Sequence, residues 1–322
     1  MRFALMSEPQ QGLSYADILA LAQTAEQAGF EAYFRSDHYA SFPGPAGEPT
    51  TDAWATLAGL ARETSRINLG SLVSPVTFRL PGNFAKLVTT VAEMADGRVE
   101  VGVGAGWNED EHRQLGLPYP DTRTRFDMLE DQLAMLHGLW TEPDGWSHDG
   151  RHWQVTDARF HPKPPARDGR RHPNLIIGGA GGPRMAALVA RYADEINISS
   201  ASPDDVGEAY ERVRAACREA GRNPGDVTCS AMTGVLVGED DDDVRRRVRD
   251  LLVALGRDPD SESDDWLEGR RRRWVFGTPD EARAAADRMA DAGVERLMLQ
   301  TFLPRDLEMV RLLGRIFDLT PG

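Results

Sequence analysis

Apolar positions fall along the chain in short runs, each followed by a longer amphipathic stretch. Runs at 2–6 (RFALM), 31–36, 67–73 (INLGSLV), 99–106 (VEVGVGAG), 175–179 (LIIGG), 195–199 (EINIS), 227–237 (VTCSAMTGVLV) and 296–302 (RLMLQTF) predict eight strands. Helical spacing predicts helices over 14–29, 52–64, 81–95, through 140 after the fourth strand, and then over 183–192, 204–220, 241–255 and 306–317. The strand runs are continuous rather than alternating, the pattern of strands buried on both faces under helices, hence of a parallel sheet. Eight such units in 322 residues fit one α/β domain, a closed (β/α)8 TIM barrel over 1–322, better than an open doubly wound sheet. An open nucleotide-binding sheet calls for G-x-G-x-x-G after its first strand, and here that strand runs into Ser-Glu-Pro. Two stretches stand outside the repeat. Residues 143–173 are expected to form a short hairpin (strands near 145–148 and 151–155) and a Pro-rich connection. Residues 256–278 carry EGRRRRW, a basic patch read as a solvated helix face.

Composition narrows the function classes. Hydrophobic residues at 41% and charged residues at 27% are those of a globular protein. Lys+Arg 37 minus Asp+Glu 51 leaves −14, which argues against nucleic acid or an anionic membrane surface as partner. No run of ~18 apolar residues predicts a membrane span, and the N-terminus shows no signal-peptide pattern, so a cytoplasmic location is expected. Cys217 and Cys229 fit neither a disulfide framework nor a metal site and are read as packing thiols.

In a barrel the strand ends converge on one mouth, so chemistry is sought there. The second strand ends in Arg35-Ser36-Asp37-His38-Tyr39, which offers a titratable imidazole beside a carboxylate. A surface turn explains an Asp-His pair equally well, and its place after a buried strand is what favours function. The fourth strand ends in Gly102-Val103-Gly104-Ala105-Gly106-Trp107. Alternating glycines permit close backbone approach, read as room for a ligand rather than as barrel packing alone. Gly178-Gly179-Ala180-Gly181-Gly182-Pro183 opens a helix, and N–H groups at such a start hold an anion such as a phosphate. Glu109, Glu111 and His112 lie close together, but only the Glu109/His112 pair has helical i,i+3 spacing and no third ligand shares it, so they are given an exposed or supporting role. No metal ligand set, no H-E-x-x-H and no G-x-S-x-G is found.

These strand ends resemble the bacterial luciferase-like flavin and deazaflavin oxidoreductases, in particular the branch that uses coenzyme F420. The likeness rests on AYFRSDHY at 32–39, the stretch LGSLVSPVTFRLPGNFAKLVTTVAEMADGRVEVGVGAGWNEDEHRQLG at 69–116, LIIGGAGGPRMAALVARYADEIN at 175–197 and GTPDEARAAADRMADAGVERLMLQ at 277–300, in family order over most of the chain. It implies a deazaflavin across the barrel mouth, with Asp37 and His38 against the ring and His38 as acid or base. It implies a bulge with a non-proline cis peptide at Leu72–Val73 under the ring. It places Ala105, Gly106, Gly181 and Gly182 along the phosphate-bearing tail, and the rest of the glycine-rich run, Gly178, Gly179 and Ala180, is taken as cofactor-binding with them. Tyr39, Phe42 and Trp107 are candidate walls for a small organic substrate, an enone or an imine. Sugar-phosphate dehydrogenases of the group carry a proton-transferring glutamate just after the fourth-strand glycines. Trp107 stands there instead, and only Lys86 and Lys163 are available against a substrate phosphate, so that substrate is disfavoured. The resemblance also implies a homodimer. An FMN-dependent monooxygenase on the same strands is the first alternative, and a non-catalytic flavin- or deazaflavin-binding barrel the second. F420 is strongly anionic, so Arg79 and Arg184 are expected near the mouth, and FMN gains ground if they lie elsewhere.

Overall fold

The computed structural model describes residues 1–167, 169–200, 202–259 and 264–320. Residue 168 of the first insertion, 260–263 of the second, and the last two of the 1–322 domain lie outside the described residues. Eleven strands are present among those described: β1 (Arg2–Ser7), β2 (Ala32–Arg35), β3 (Asn68–Pro75), β4 (Val99–Gly104), β5 (Trp146–Asp149), β6 (Gln154–Ala158), β7 (Asn174–Gly179), β8 (Glu195–Ser199), β9 (Thr228–Val237), β10 (Val275–Gly277) and β11 (Arg296–Thr301). The parallel order β1-β2-β3-β4-β7-β8-β9-β11 closes on itself where β1 pairs β11, from Arg2↔Arg296 to Ser7↔Thr301. This is the eight-stranded α/β barrel expected from the run pattern.

Two apolar layers hold the barrel, and a third cluster of Leu236, Val244, Val248, Leu251, Leu252 and Phe276 lies beside β9 and β10. The larger lies between strands and helices, with Trp54, Phe84, Trp140 and Tyr210 wholly buried. A smaller one fills the barrel interior with Ala4, Met6, Ala32, Phe34, Leu72, Ile176 and Met298. The N-terminal end of the barrel is closed by the buried Arg296, which bonds Glu100 at 2.6 and 2.9 Å and Glu195 at 3.1 Å. Burial, which alone raises a carboxyl, is outweighed at Glu100 by Arg296, so its pKa is lowered.

The structure adds detail that periodicity does not give. The segment after β4 is two helices, Glu109–Leu115 and Thr122–Thr141, separated where Gly116 takes a left-handed φ of 67°. The hairpin's second strand starts at 154, not 151. The Asp131 carboxylate takes the His152 N–H at 2.6 Å and leaves no room for a side chain at Gly150, so 150–153 form the turn. Inside the second insertion the helix face read at the arginine block is met by helix Asp264–Arg271, whereas β10, which the sequence reading does not show, forms just after it. β10 pairs the overhang of β9 past the end of β8, with Val235 matched to both Thr301 and Val275.

Candidate active site

Two cavities of similar size lie at opposite ends of the barrel. The one at the N-terminal end, about 770 Å³, is bordered by Arg98, whose guanidinium bonds the carbonyls of Ala61, Thr64 and Ile67 and so ties helix ends together. The other, about 780 Å³, opens at the C-terminal ends of the strands, where barrel chemistry collects. Its floor is apolar (Met6, Leu72, Val73, Ile177, Met232), and Glu8, His38 and Arg184 are its charged or titratable residues.

His38 is held by Glu111. Its Nδ1 lies 2.9 and 3.1 Å from the two oxygens of that carboxylate, which is buried and also accepts the Tyr39 N–H at 3.0 Å. A carboxylate only accepts, so the neutral ring carries its proton on Nδ1 and leaves Nε2 to the cavity. Phe42 meets His38 edge-on at 4.5 Å between centroids, and Trp107, 64% exposed, meets Phe42 edge-on at 5.1 Å. His112, next to Glu111, bonds the Asn108 carbonyl and the Thr77 hydroxyl, each at 2.6 Å, and braces the short helix against the barrel.

β3 carries one extra residue between Ser71 and Ser74 relative to Val101 and Val103 of β4, and the Leu72–Val73 peptide in this bulge is cis, as the resemblance implies. The bulge brings Val73 into the cavity wall. A Cβ built on Gly178 would lie 2.6 Å from Val73 Cγ1, and one on Gly104 2.8 Å from Val73 Cγ2. Those glycines therefore make room for the protein's own valine, a reason the sequence reading did not weigh, while both still line the cavity. Gly182 is different. Nothing lies within 4 Å of its would-be Cβ, and it caps helix Pro183–Tyr192 with no side chain on the N–H groups.

The cavity gathers His38, Phe42, Leu72, Val73, Ala105, Gly106, Trp107, Gly178, Gly179, Ala180 and Gly182. Three expected residues lie outside its lining. Asp37 is wholly buried behind it, paired with Arg79 at 2.5 Å and accepting the Ser74 hydroxyl at 2.6 Å, so it neither faces the cavity nor holds His38. Tyr39 turns its hydroxyl to Asp52 at 2.6 Å and takes a bond from Arg79 at 2.9 Å; burial first, then Asp52, push that phenol's pKa up. Gly181 packs against Ala209 instead. Of the two expected arginines, Arg79 is locked between Asp37 and Asp52, while Arg184 stands at the rim, paired with Asp127. The sequence reading missed Glu111 as the partner of His38, and Glu8 altogether.

No helix among the described residues is long and apolar enough to cross a membrane, and no group of three or more His, Cys, Asp or Glu among them is placed to hold a metal. An apolar mouth cavity, a carboxylate-held histidine and an open helix start define a (β/α)8-barrel enzyme working at its strand ends. The chain belongs to the luciferase-like monooxygenase family, whose model matches residues 1–301, and it is an oxidoreductase. It is 33% identical over 180 residues to the F420-dependent glucose-6-phosphate dehydrogenase of Beutenbergia cavernae, a match over 55% of this chain and 51%, about half, of that relative. It is 27% identical over 286 residues to the pyrimidine monooxygenase RutA of Stutzerimonas stutzeri, over 86% of this chain and 71% of that one. Among solved structures, an F420-dependent secondary alcohol dehydrogenase in complex with an F420-acetone adduct superposes with a TM-score of 0.81 at 21% identity, over 98% of this chain and 97% of that one.

Proposed function

We propose that the chain is an F420-dependent oxidoreductase that moves a hydride between the deazaflavin C5 and a small organic molecule. The observation that carries this reading is the His38–Glu111 pair facing an apolar cavity whose far end is an uncapped helix start. The residues present fit the cofactor. Leu72 and Val73 offer a flat apolar floor for a tricyclic ring, the open space at Gly182 admits a phosphate to backbone N–H groups, and Arg184 adds positive charge at the rim. The relatives whose names carry F420 support it. Bound deazaflavin supplies a two-electron hydride donor or acceptor. The protein supplies the rest: His38 Nε2 takes or gives a proton, Glu111 fixes the ring's orientation, and Phe42 and Trp107 cover the reacting carbon from water.

A second reading, FMN-dependent oxygenation, is favoured by one observation. Arg79 is turned away, leaving Arg184 as the cavity's arginine, a poorer match for a polyanionic tail than for one phosphate. Reconstitution decides between them. Micromolar binding of F420 with no retention of FMN supports the first; a purified protein that is yellow with FMN overturns it.

A further inference from the structure

The cavity holds an acid that the proposed reading does not use. Glu8 follows β1, is 5% exposed and lines the floor. One carboxylate oxygen accepts from Gln10 Nε2 at 2.5 Å and the other from the Gln300 amide. Gln10 is itself fixed: its amide carbonyl takes the Ser36 hydroxyl at 2.6 Å and its Nε2 also reaches the Phe42 carbonyl at 3.1 Å. Both oxygens thus accept from neutral amides, and among the described residues no cation is paired with this carboxylate. Arg35, wholly buried near by, feels the Glu8 charge but gives its hydrogen bonds to Ser36, Thr51, Asp52 and Thr56, so it does not occupy the cavity side of the carboxylate. Arg184 is paired with Asp127 across the cavity. The remaining floor is Met6, Leu72, Val73, Ile177 and Met232. A carboxylate in apolar surroundings is costly without a cationic partner, and here the open side is the space a substrate would occupy.

We infer that Glu8 selects a substrate with a basic nitrogen next to the reacting carbon, an amine in one direction and its imine in the other. This rests on the deazaflavin reading for the redox partner. An amine arrives as its ammonium ion, and His38 Nε2 takes one N–H proton. The carbon–hydrogen bond beside nitrogen then breaks with its electron pair passing to the oxidised deazaflavin. The nitrogen lone pair forms the C=N bond, and the resulting iminium charge lies against Glu8. In reverse, the iminium carbon takes a hydride from the reduced deazaflavin, which is oxidised, and the nitrogen regains its lone pair. The amine is then reprotonated by His38. A ketone or enone brings no such charge and leaves the carboxylate without a cation on its cavity side.

The probes are 1,2,3,4-tetrahydroisoquinoline and isochroman, which differ by N–H against ether oxygen, titrated calorimetrically into cofactor-free protein. The amine is expected to bind at least tenfold tighter, and Glu8→Gln, nearly isosteric, to erase the preference with its melting temperature within a few degrees of wild type. Equal binding of the two probes by wild-type protein overturns the inference without any variant, as does a preference that survives in Glu8→Gln. Turnover separates the two levels. With chemically reduced F420, Glu8→Gln is expected to lower kcat/KM for 3,4-dihydroisoquinoline about 100-fold and to change that for 2-cyclohexenone less than threefold. An amine preference lost in Glu8→Gln, with no F420 binding, refutes the deazaflavin reading while leaving the role of Glu8 standing.

Discussion

If Gly104 and Gly178 are glycines because Val73 occupies the space where their Cβ atoms would be, the cost of adding a methyl there must disappear when Val73 is shortened. In Gly178→Ala the new carbon meets Val73 Cγ1 at 2.6 Å, and in Gly104→Ala it meets Cγ2 at 2.8 Å, both inside the 3.0 Å that real Cβ contacts respect. Overpacking of this kind costs about 1–3 kcal/mol. Val73→Ala removes both γ carbons. The nearest remaining atoms are then Val73 Cβ, 3.9 Å from either position, and the Gly178 carbonyl, 3.5 Å from the Gly104 position, which are ordinary contacts. Each double variant is therefore expected to show a coupling energy of about 1–2 kcal/mol in urea denaturation, the alanine at 104 or 178 being nearly free in the Val73→Ala background. Gly102→Ala is the internal control. Its Cβ meets the Ser71 carbonyl oxygen most closely, a backbone atom that Val73→Ala leaves in place, so its cost should persist. Coupling below about 0.5 kcal/mol at both 104 and 178, or equal rescue at 102, refutes the assignment and returns these glycines to the ligand.

His38→Ala is expected to lower kcat/KM by about 10²–10⁴ with cofactor affinity within threefold, and Glu111→Gln to lose on the order of 10–100-fold, both read by steady-state kinetics with 3,4-dihydroisoquinoline or 2-cyclohexenone. Arg296→Met leaves Glu100 and Glu195 buried without their cation and should cost about 3–5 kcal/mol by chemical denaturation; a loss below about 1 kcal/mol would contradict the buried triad. At Glu26, burial pulls the pKa up but the N–H groups of Ile67, Arg66 and Ser65 outweigh it, and the net shift is downward. A depressed carboxylate stabilises the fold above its unfolded value near 4.5 and loses that contribution as pH falls through the folded value. Glu26→Gln should therefore lower the melting temperature at pH 7, with the gap closing as pH drops below 4.5.

The barrel was legible because continuous apolar runs and helical spacing each repeat eight times, and a parallel sheet has few other ways to bury such strands. What stayed hidden depends on contacts between distant residues. Glu111 was weighed against partners on its own helix, whereas its partner lies 73 positions back on the loop after β2, across the mouth. The sequence carried no signal for it: Glu109 to Arg113 are polar throughout, and only the fold turns Glu111 and His112 inward while Glu109, Asp110 and Arg113 stay exposed. For the glycines, period-two spacing correctly puts Gly102 and Gly104 on one face, but an extra residue in β3 decides what occupies that face, and a bulge leaves no mark in a hydrophobic pattern. Asp37 illustrates the converse error. It is next to a cavity residue in sequence, yet on the loop after β2 its carboxylate turns away from the cavity to Arg79 and the Ser74 hydroxyl.

The net charge of −14 matters less to an anionic cofactor than how charge is arranged along the cavity. Surface charges more than ~10 Å away are screened at ordinary ionic strength, whereas groups lining a pocket are not. The two carboxylates that bear on the mouth, Glu8 itself and Glu111 through His38, stand at the His38 end. The open helix start at Gly182 and the Arg184 guanidinium stand at the other. A ligand with a phosphate on one end and an electron-poor ring on the other is thereby oriented one way round. Reversal would set the phosphate against the carboxylates and leave the helix N–H groups without an acceptor. Asp127 and Glu130 share Arg184 in the protein alone, so an anionic tail gains that guanidinium only by displacing them. For that reason the backbone N–H groups at Gly182, rather than the arginine, are the anchor we propose for the phosphate of such a ligand.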